Sequence, residues 1–171
     1  MADDDADGWD AAQEGAERIA EGDLQGAIDY LTSLAEREPH NAYAHFFLGA
    51  AFFELAEYVK ALRSYLSALE QAPDYVGAMI ATGQTLRMLG RYPEAIRMGR
   101  QVLSRSPDDP DALFLLGACH FARGDEEAAA RYLKAFIASG PEIEAAIEAQ
   151  GMLQVLAGQI IEHNPEDDDV N

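Results

Sequence analysis

The sequence predicts an all-α fold, an α-solenoid of about four helix-turn-helix repeats closed by a C-terminal capping helix. Three observations predict it. Pro39, Pro73, Pro107 and Pro141 stand 34 residues apart, and Gly15, Gly49, Gly83, Gly117 and Gly151 keep the same spacing. Ala27, Ala61, Ala95 and Ala129 keep it as well. Composition agrees with a helical chain: 49% of residues are apolar, Ala, Leu, Glu and Arg dominate, and β-branched residues are scarce. A fixed period of this length is the mark of stacked supersecondary units.

Each mark has a mechanical reason. The glycine of the first series lets two helices of a hairpin approach closely, and the alanine series does the same from the second helix. A further series, Gly22, Gly90, Gly124 and Gly158, ends the first helix of a repeat, because glycine accepts the left-handed conformation there. Ala56 stands in the place that series skips. The prolines open the turns between repeats and cannot lie inside a helix.

Taken in order, the expected repeats span about 8–41, 42–75, 76–109 and 110–143, followed by a cap over 144–163. The first helix, near 9–21, is polar (Asp10, Glu14, Glu17, Arg18, Glu21), which suits the exposed end of an array. The other first helices fall near 42–56, 76–89 and 110–123. In the first of these Leu48, Phe52 and Leu55 recur at i, i+4, i+7, the spacing of one helical face. Second helices fall near 24–37, 58–71, 92–105 and 125–138, with Tyr65 and Ala68 continuing the apolar pattern. Acidic tails, expected to be disordered, flank the array at 1–7 and 164–171.

With these residues the chain resembles the tetratricopeptide-repeat (TPR) family over about 8–158. His120 and Leu86 depart from it where Tyr or Phe is usual. Gly99 departs where a large apolar residue is usual, so repeat three is expected to be the loosest. The resemblance implies a right-handed superhelix whose first helices line a concave face. The stripe facing that hollow would hold Tyr43 at the rim, then Phe46, Ala50 and Phe53, then Ile80, Gln84 and Arg87. Phe114, Ala118 and Phe121 follow, and the cap adds Glu148, Met152 and Val155. Phenylalanines kept wet on a groove point to a partner. The expected occupant is an apolar or amphipathic segment of another protein, with Gln84 bonding its backbone and Arg87 pairing with a carboxylate. The competing reading is that these rings are ordinary core. The Lys/Asn/Arg clamp by which some family members hold acidic C-termini is absent, since Ala12, Ala16, Phe46, Phe47 and Ala50 stand near its places.

The formal charge of −19 argues against nucleic acid and against an anionic membrane surface as partners. No apolar run approaches the length of a membrane span, and the acidic start is the opposite of a signal peptide, so a cytoplasmic protein is expected. The one cysteine, Cys119, excludes an internal disulfide, and with His120 beside it reads as buried core. Asp3, Asp5, Asp7, Gly8 and Glu14 fit the calcium-loop spacing D-x-D-x-D-G-x5-E. The entering helix is missing and an acidic tail yields the same letters, so calcium is the minor reading and neither metal nor cofactor is expected. Arg87, Arg91, Arg97, Arg100 and Arg105 make repeat three locally basic, either a docking spot for acidic groups or a face paired with Glu94, Asp108 and Asp109. No nucleophile, base or phosphate loop stands out, and no enzyme is expected. The reading is a non-enzymatic adaptor or scaffold. The alternatives are a protein similar to the TPR-built translocator chaperones of type III secretion, or a scaffold that self-assembles into a homo-oligomer.

Overall fold

The computed structural model describes residues 2–158. Among these residues nine helices follow one another and no strand occurs: α1 (Ala2–Ala20), α2 (Leu24–Arg37), α3 (Ala42–Glu54), α4 (Tyr58–Gln71), α5 (Val76–Met88), α6 (Tyr92–Leu103), α7 (Pro110–Ala122), α8 (Glu126–Ala138) and α9 (Ile143–Leu156). Helices α1 to α8 form four hairpins and α9 follows them, as the 34-residue period predicts.

Local chemistry sets the ends of these helices. Asp23, Asn41 and Asp109 each cap a helix by accepting a backbone N–H three residues on, from Gly26 (3.0 Å), Ala44 (3.1 Å) and Ala112 (2.9 Å). Inside each hairpin the chain reverses through a left-handed residue: Gly22, Gly90 and Gly124, and Ala56 with φ 57° where the glycine is missing. The close approaches are as the sequence implies. A Cβ at Gly49 would lie 2.7 Å from the Tyr65 ring, and one at Gly117 would lie 2.7 Å from Leu133 Cδ2. Ala27, Ala61, Ala95 and Ala129 are all fully buried.

Contacts between hairpins explain the curvature. Each odd-numbered helix touches the next odd-numbered one, α1 with α3, α3 with α5, α5 with α7 and α7 with α9. No two second helices touch among the described residues. A row that is closer together on one side bends the stack toward it, so the first helices form the concave wall.

Two expectations need correction, and the minor calcium reading meets an obstacle. Helix α1 begins at Ala2, so residues 2–7 are helical where a disordered tail was foreseen. Three aspartates at a helix start are favoured by the positive end of the helix dipole, which is why an acidic run need not unwind it. A calcium loop demands a sharply bent backbone, and a helix through Asp3, Asp5 and Asp7 to Glu14 leaves no such loop. Repeat three is not loose either. Leu115 and Leu116 of α7, both fully buried, reach back into the space that Gly99 leaves, and they join Leu86, Ala95 and Ile96 in one cluster. The outer part of the expected cap (159–163), the tail 164–171 and Met1 lie outside the described residues.

Candidate peptide-binding groove

The foreseen stripe lies on α3, α5, α7 and α9, the helices of the concave wall. Its residues do not stand in open water. Tyr43 packs edge-on against Trp9 and against Tyr75, with ring centroids 5.5 Å apart in both pairs. Phe46 lies 4.9 Å from Tyr75, 5.6 Å from Tyr65 and 5.3 Å from Phe47. Trp9, Tyr43, Tyr75, Phe46 and Tyr65 thus form a continuous aromatic chain along the first three repeats. Such pairs stabilise one another by about 0.5–1.5 kcal/mol beyond the area they bury. This end of the groove is filled by the protein's own rings, although Phe46 and Tyr43 remain half-buried rather than sealed.

The open part begins at Phe53, about two helical turns beyond Phe46. Phe53, Gln84, Arg87 and Phe114, together with Tyr65 and Ala81, line a cleft of about 360 Å³ that spans repeats two, three and four. Phe53 rests one edge on Tyr58 at 5.2 Å, and Phe114 backs onto Phe136 at 5.1 Å. Both rings are half-buried, with a supported back. The cleft floor is polar in one place only. Arg87 Nε donates to Gln84 Oε1 at 3.0 Å, which holds the guanidinium on the concave side. No carboxylate among the described residues pairs with Arg87; the arginine ion pairs belong to Arg18, Arg91, Arg97, Arg105 and Arg123. A cation inside an apolar cleft has its second donor edge left for a ligand.

Other foreseen members fall elsewhere. Ile80 is half-buried against the cluster of Met79 and Val102. Ala50 and Phe121 are half-buried and outside the cleft lining. Ala118 was expected to face the hollow and is instead buried, at 3% exposure. The reason is that α7 touches α5, α6, α8 and α9, so its inner stripe is covered from both sides. Met152 packs on Leu133 and Phe136 as part of the last core cluster. Glu148 and Val155 are exposed.

Sequence reasoning assigned Tyr65 to the hairpin core and did not foresee its place in the cleft. The ring does pack past Gly49, and it is long enough to continue to the inner wall, which the leucine at the equivalent place in repeats one and four (Leu31, Leu133) is not. Burial raises the Tyr65 hydroxyl well above the ordinary tyrosine range, and raises that of Tyr75 to about 12 with help from Tyr43. Both stay neutral and lend the wall no charge. Behind it, burial pushes the Cys119 thiol up to about 11, with Arg87 acting weakly in the opposite direction. Such a thiol is inert at neutral pH.

The basic stretch of repeat three is mostly paired. Arg91 and Arg97 share Glu94 at 2.6 and 3.9 Å, while Arg105 pairs with Asp74 at 2.7 Å rather than with Asp108 or Asp109. No group of three or more His, Cys, Asp or Glu among the described residues is placed to hold a metal ion. No described helix is long and apolar enough to cross a membrane.

Comparison with known proteins agrees with this architecture. Family models described as tetratricopeptide repeat match residues 18–85 and 80–142. No curated protein matches. Among solved structures, PilW, described as a widely conserved type IV pilus biogenesis factor, superposes with a TM-score of 0.80 at 24% identity, over 89% of this chain and 70% of that one. A tetratricopeptide repeat protein from Parabacteroides merdae ATCC 43184 gives 0.77 at 21% identity, over 87% of this chain and 58% of that one. MamA from Desulfovibrio magneticus RS-1, residue 41 to its end, gives 0.74 at 20% identity, over 88% and 89%. At such identities the likeness is one of fold.

Proposed function

We propose, from the premise that the chain belongs to the tetratricopeptide-repeat family, that it is a non-enzymatic adaptor holding an apolar or amphipathic segment of another protein in its concave groove. Family membership supports the coarse part: proteins built this way are interaction scaffolds. The finer part rests on one observation, the cleft in which Phe53 and Phe114 flank Arg87 and Gln84 across three successive repeats. Two supported aromatic walls bring large buried area at small entropic cost, and a pre-held guanidinium sets orientation. The best ligand therefore carries an apolar side chain for the slot between the rings and a carboxylate within one helical turn of it. Gln84, whose carbonyl oxygen is taken by Arg87, keeps its amide donors for the ligand backbone.

Selecting displayed peptides on the purified chain tests this reading. The enriched sequences are apolar or amphipathic with an acidic residue. Anisotropy titration of one of them weakens by about tenfold or more for Phe53→Glu and for Arg87→Glu, with unchanged circular dichroism. Equal affinity in the wild type and both variants removes the groove as the binding site.

A further inference from the structure

The last helix carries a second, separate surface. Helix α9 closes the array on one side, where Ala149 is fully buried and Met152, Leu153 and Leu156 pack on Leu133 and Phe136. Its other side is apolar and bare: Ile143 is 78% exposed and Ile147 66%. With Ala146, Gln150, Gly151 and Gln154 they line a shallow cleft of about 490 Å³. The contrast with the other end of the array is sharp, because Asp10, Glu14 and Glu17 of α1 are all exposed and polar.

The four hairpins show what this surface takes. In the 34-residue register Gly151 is the equivalent of Gly15, Gly49, Gly83 and Gly117. Around each of those a Cβ would run into a packed side chain, Leu31, Tyr65, Leu115 and Leu133 in turn. Around Gly151 a Cβ would meet nothing within 4 Å among the described residues. Helix α9 is thus the first helix of a fifth repeat, and no described residue covers the face that a second helix would take. Ala157 and Gly158, with φ 65° at Gly158, form the same turn that starts each second helix.

The sequence after Gly158 lacks the residue types with which the other second helices close their hairpins. Leu31, Tyr65 and Leu133 stand sixteen residues after their glycines, and sixteen after Gly151 stands Asp167. His163 replaces the alanine of the close-packing series, and Pro165 interrupts the stretch. A second copy fits poorly as well. Glu142, Glu144 and Glu148 at this end are all exposed, α9 contains no basic residue, and each copy carries −19.

We propose that α9 receives an amphipathic helix of another protein as the second helix of a fifth repeat. That helix carries a large aliphatic or aromatic residue over Gly151 and a basic polar face toward the glutamates. The site is separate from the concave groove and does not depend on it.

A peptide of this protein's own second helix, residues 125–139, serves as probe. It is synthesised as it stands and with Glu126 and Glu127 replaced by lysine. The lysine form binds the full chain and shifts amide resonances along α9 in a nitrogen-15 titration, and the acidic form binds about tenfold more weakly at low salt. Gly151→Leu fills the cavity without disturbing any packed neighbour, and Ile147→Glu charges it. Each weakens the lysine peptide by about tenfold or more, whereas Phe53→Glu in the groove leaves it unchanged. The proposal is overturned if the lysine peptide fails to bind, or if its binding responds to Phe53→Glu and not to Gly151→Leu. It is overturned equally if light scattering finds a dimer of the chain that Ile147→Glu dissolves.

Discussion

Ala56 is the one non-glycine residue with positive φ among those described, and it sits where three other hairpins use Gly22, Gly90 and Gly124. A side chain in the left-handed region costs about 1–2 kcal/mol, of which part is offset because glycine makes the unfolded chain more flexible. Ala56→Gly should therefore stabilise by about 0.5–1 kcal/mol and raise the melting temperature by a few degrees in a calorimetric scan; no gain means the turn is less strained than its φ implies. His120 is a residue whose role the family pattern obscures. It stands where an aromatic is usual and stacks on Tyr132 at 5.7 Å, so it fills that role, while its Nδ1 reaches Asp125 Oδ2 at 3.0 Å. Its Nε2 is buried with no partner among the described residues. The cost of that orphan nitrogen is of the order of 1–3 kcal/mol. His120→Phe keeps the stack and removes the orphan, losing only a bond to a half-exposed carboxylate. Urea denaturation should find the variant at least as stable as the parent, and a loss above about 1 kcal/mol would show that the Asp125 bond matters more than the stranded nitrogen.

At the scale of elements, one residue type tests which hairpin faces are closed. A Cβ at Gly117 would lie 2.7 Å from Leu133, and one at Gly151 would meet nothing within 4 Å among the described residues. Alanine is favoured over glycine in a helix by about 1 kcal/mol. Gly151→Ala should gain about that amount, whereas Gly117→Ala should lose about 1–3 kcal/mol through overpacking. Chemical denaturation of both variants measures the difference, and a similar response at the two sites would mean the fifth face is not open. The same comparison shows what could be read in the sequence. Repeat number, helix order and glycine turns followed from the period, because tight helix contacts accept few residue types and leave a regular trace. The compensation at Gly99 left none, since Leu115 and Leu116 fill that space from a different repeat and nothing in the period links them to it. Helix α1 was curtailed for a related reason: an acidic run looks like a solvated tail, and only the helix behind it decides. The groove was half legible. The residues that line it were largely foreseen, but whether a half-exposed ring faces a ligand or a neighbouring ring depends on distances between repeats, and Tyr65 and Tyr75 closed the Phe46 end.

For the molecule as a whole, charge and buried protons set the conditions under which the array holds together. A formal −19 on 171 residues leaves a compact state under self-repulsion, and the ion pairs that relieve it are few and exposed. Salt screens this repulsion over about 10 Å at 0.1 M. Thermal stability at pH 7 should therefore rise when sodium chloride is added, opposite to a fold held by surface ion pairs. On the alkaline side the sign reverses for a different cause. The Cys119 thiol is held neutral to about 11 and the Tyr75 hydroxyl to about 12 by burial, with Tyr65 further up. In the unfolded chain thiol and phenol lose their protons near 9 and 10. Above pH 9 the unfolded state then binds fewer protons than the folded one, so stability falls with rising pH, and the Cys119 share of the loss is complete near pH 11. Below pH 9 both states hold these protons and the contribution is flat. Melting curves from pH 8 to 11 should show this decline at fixed salt. Cys119→Ala should start lower because it opens a small void, yet decline less steeply between pH 9 and 11. If its slope matches the parent's, the thiol is not the buried proton reservoir its position in α7 implies. Labelling closes the argument: at pH 8 a thiol reagent should modify Cys119 at the rate of global opening, slowed by any ligand that stabilises the array.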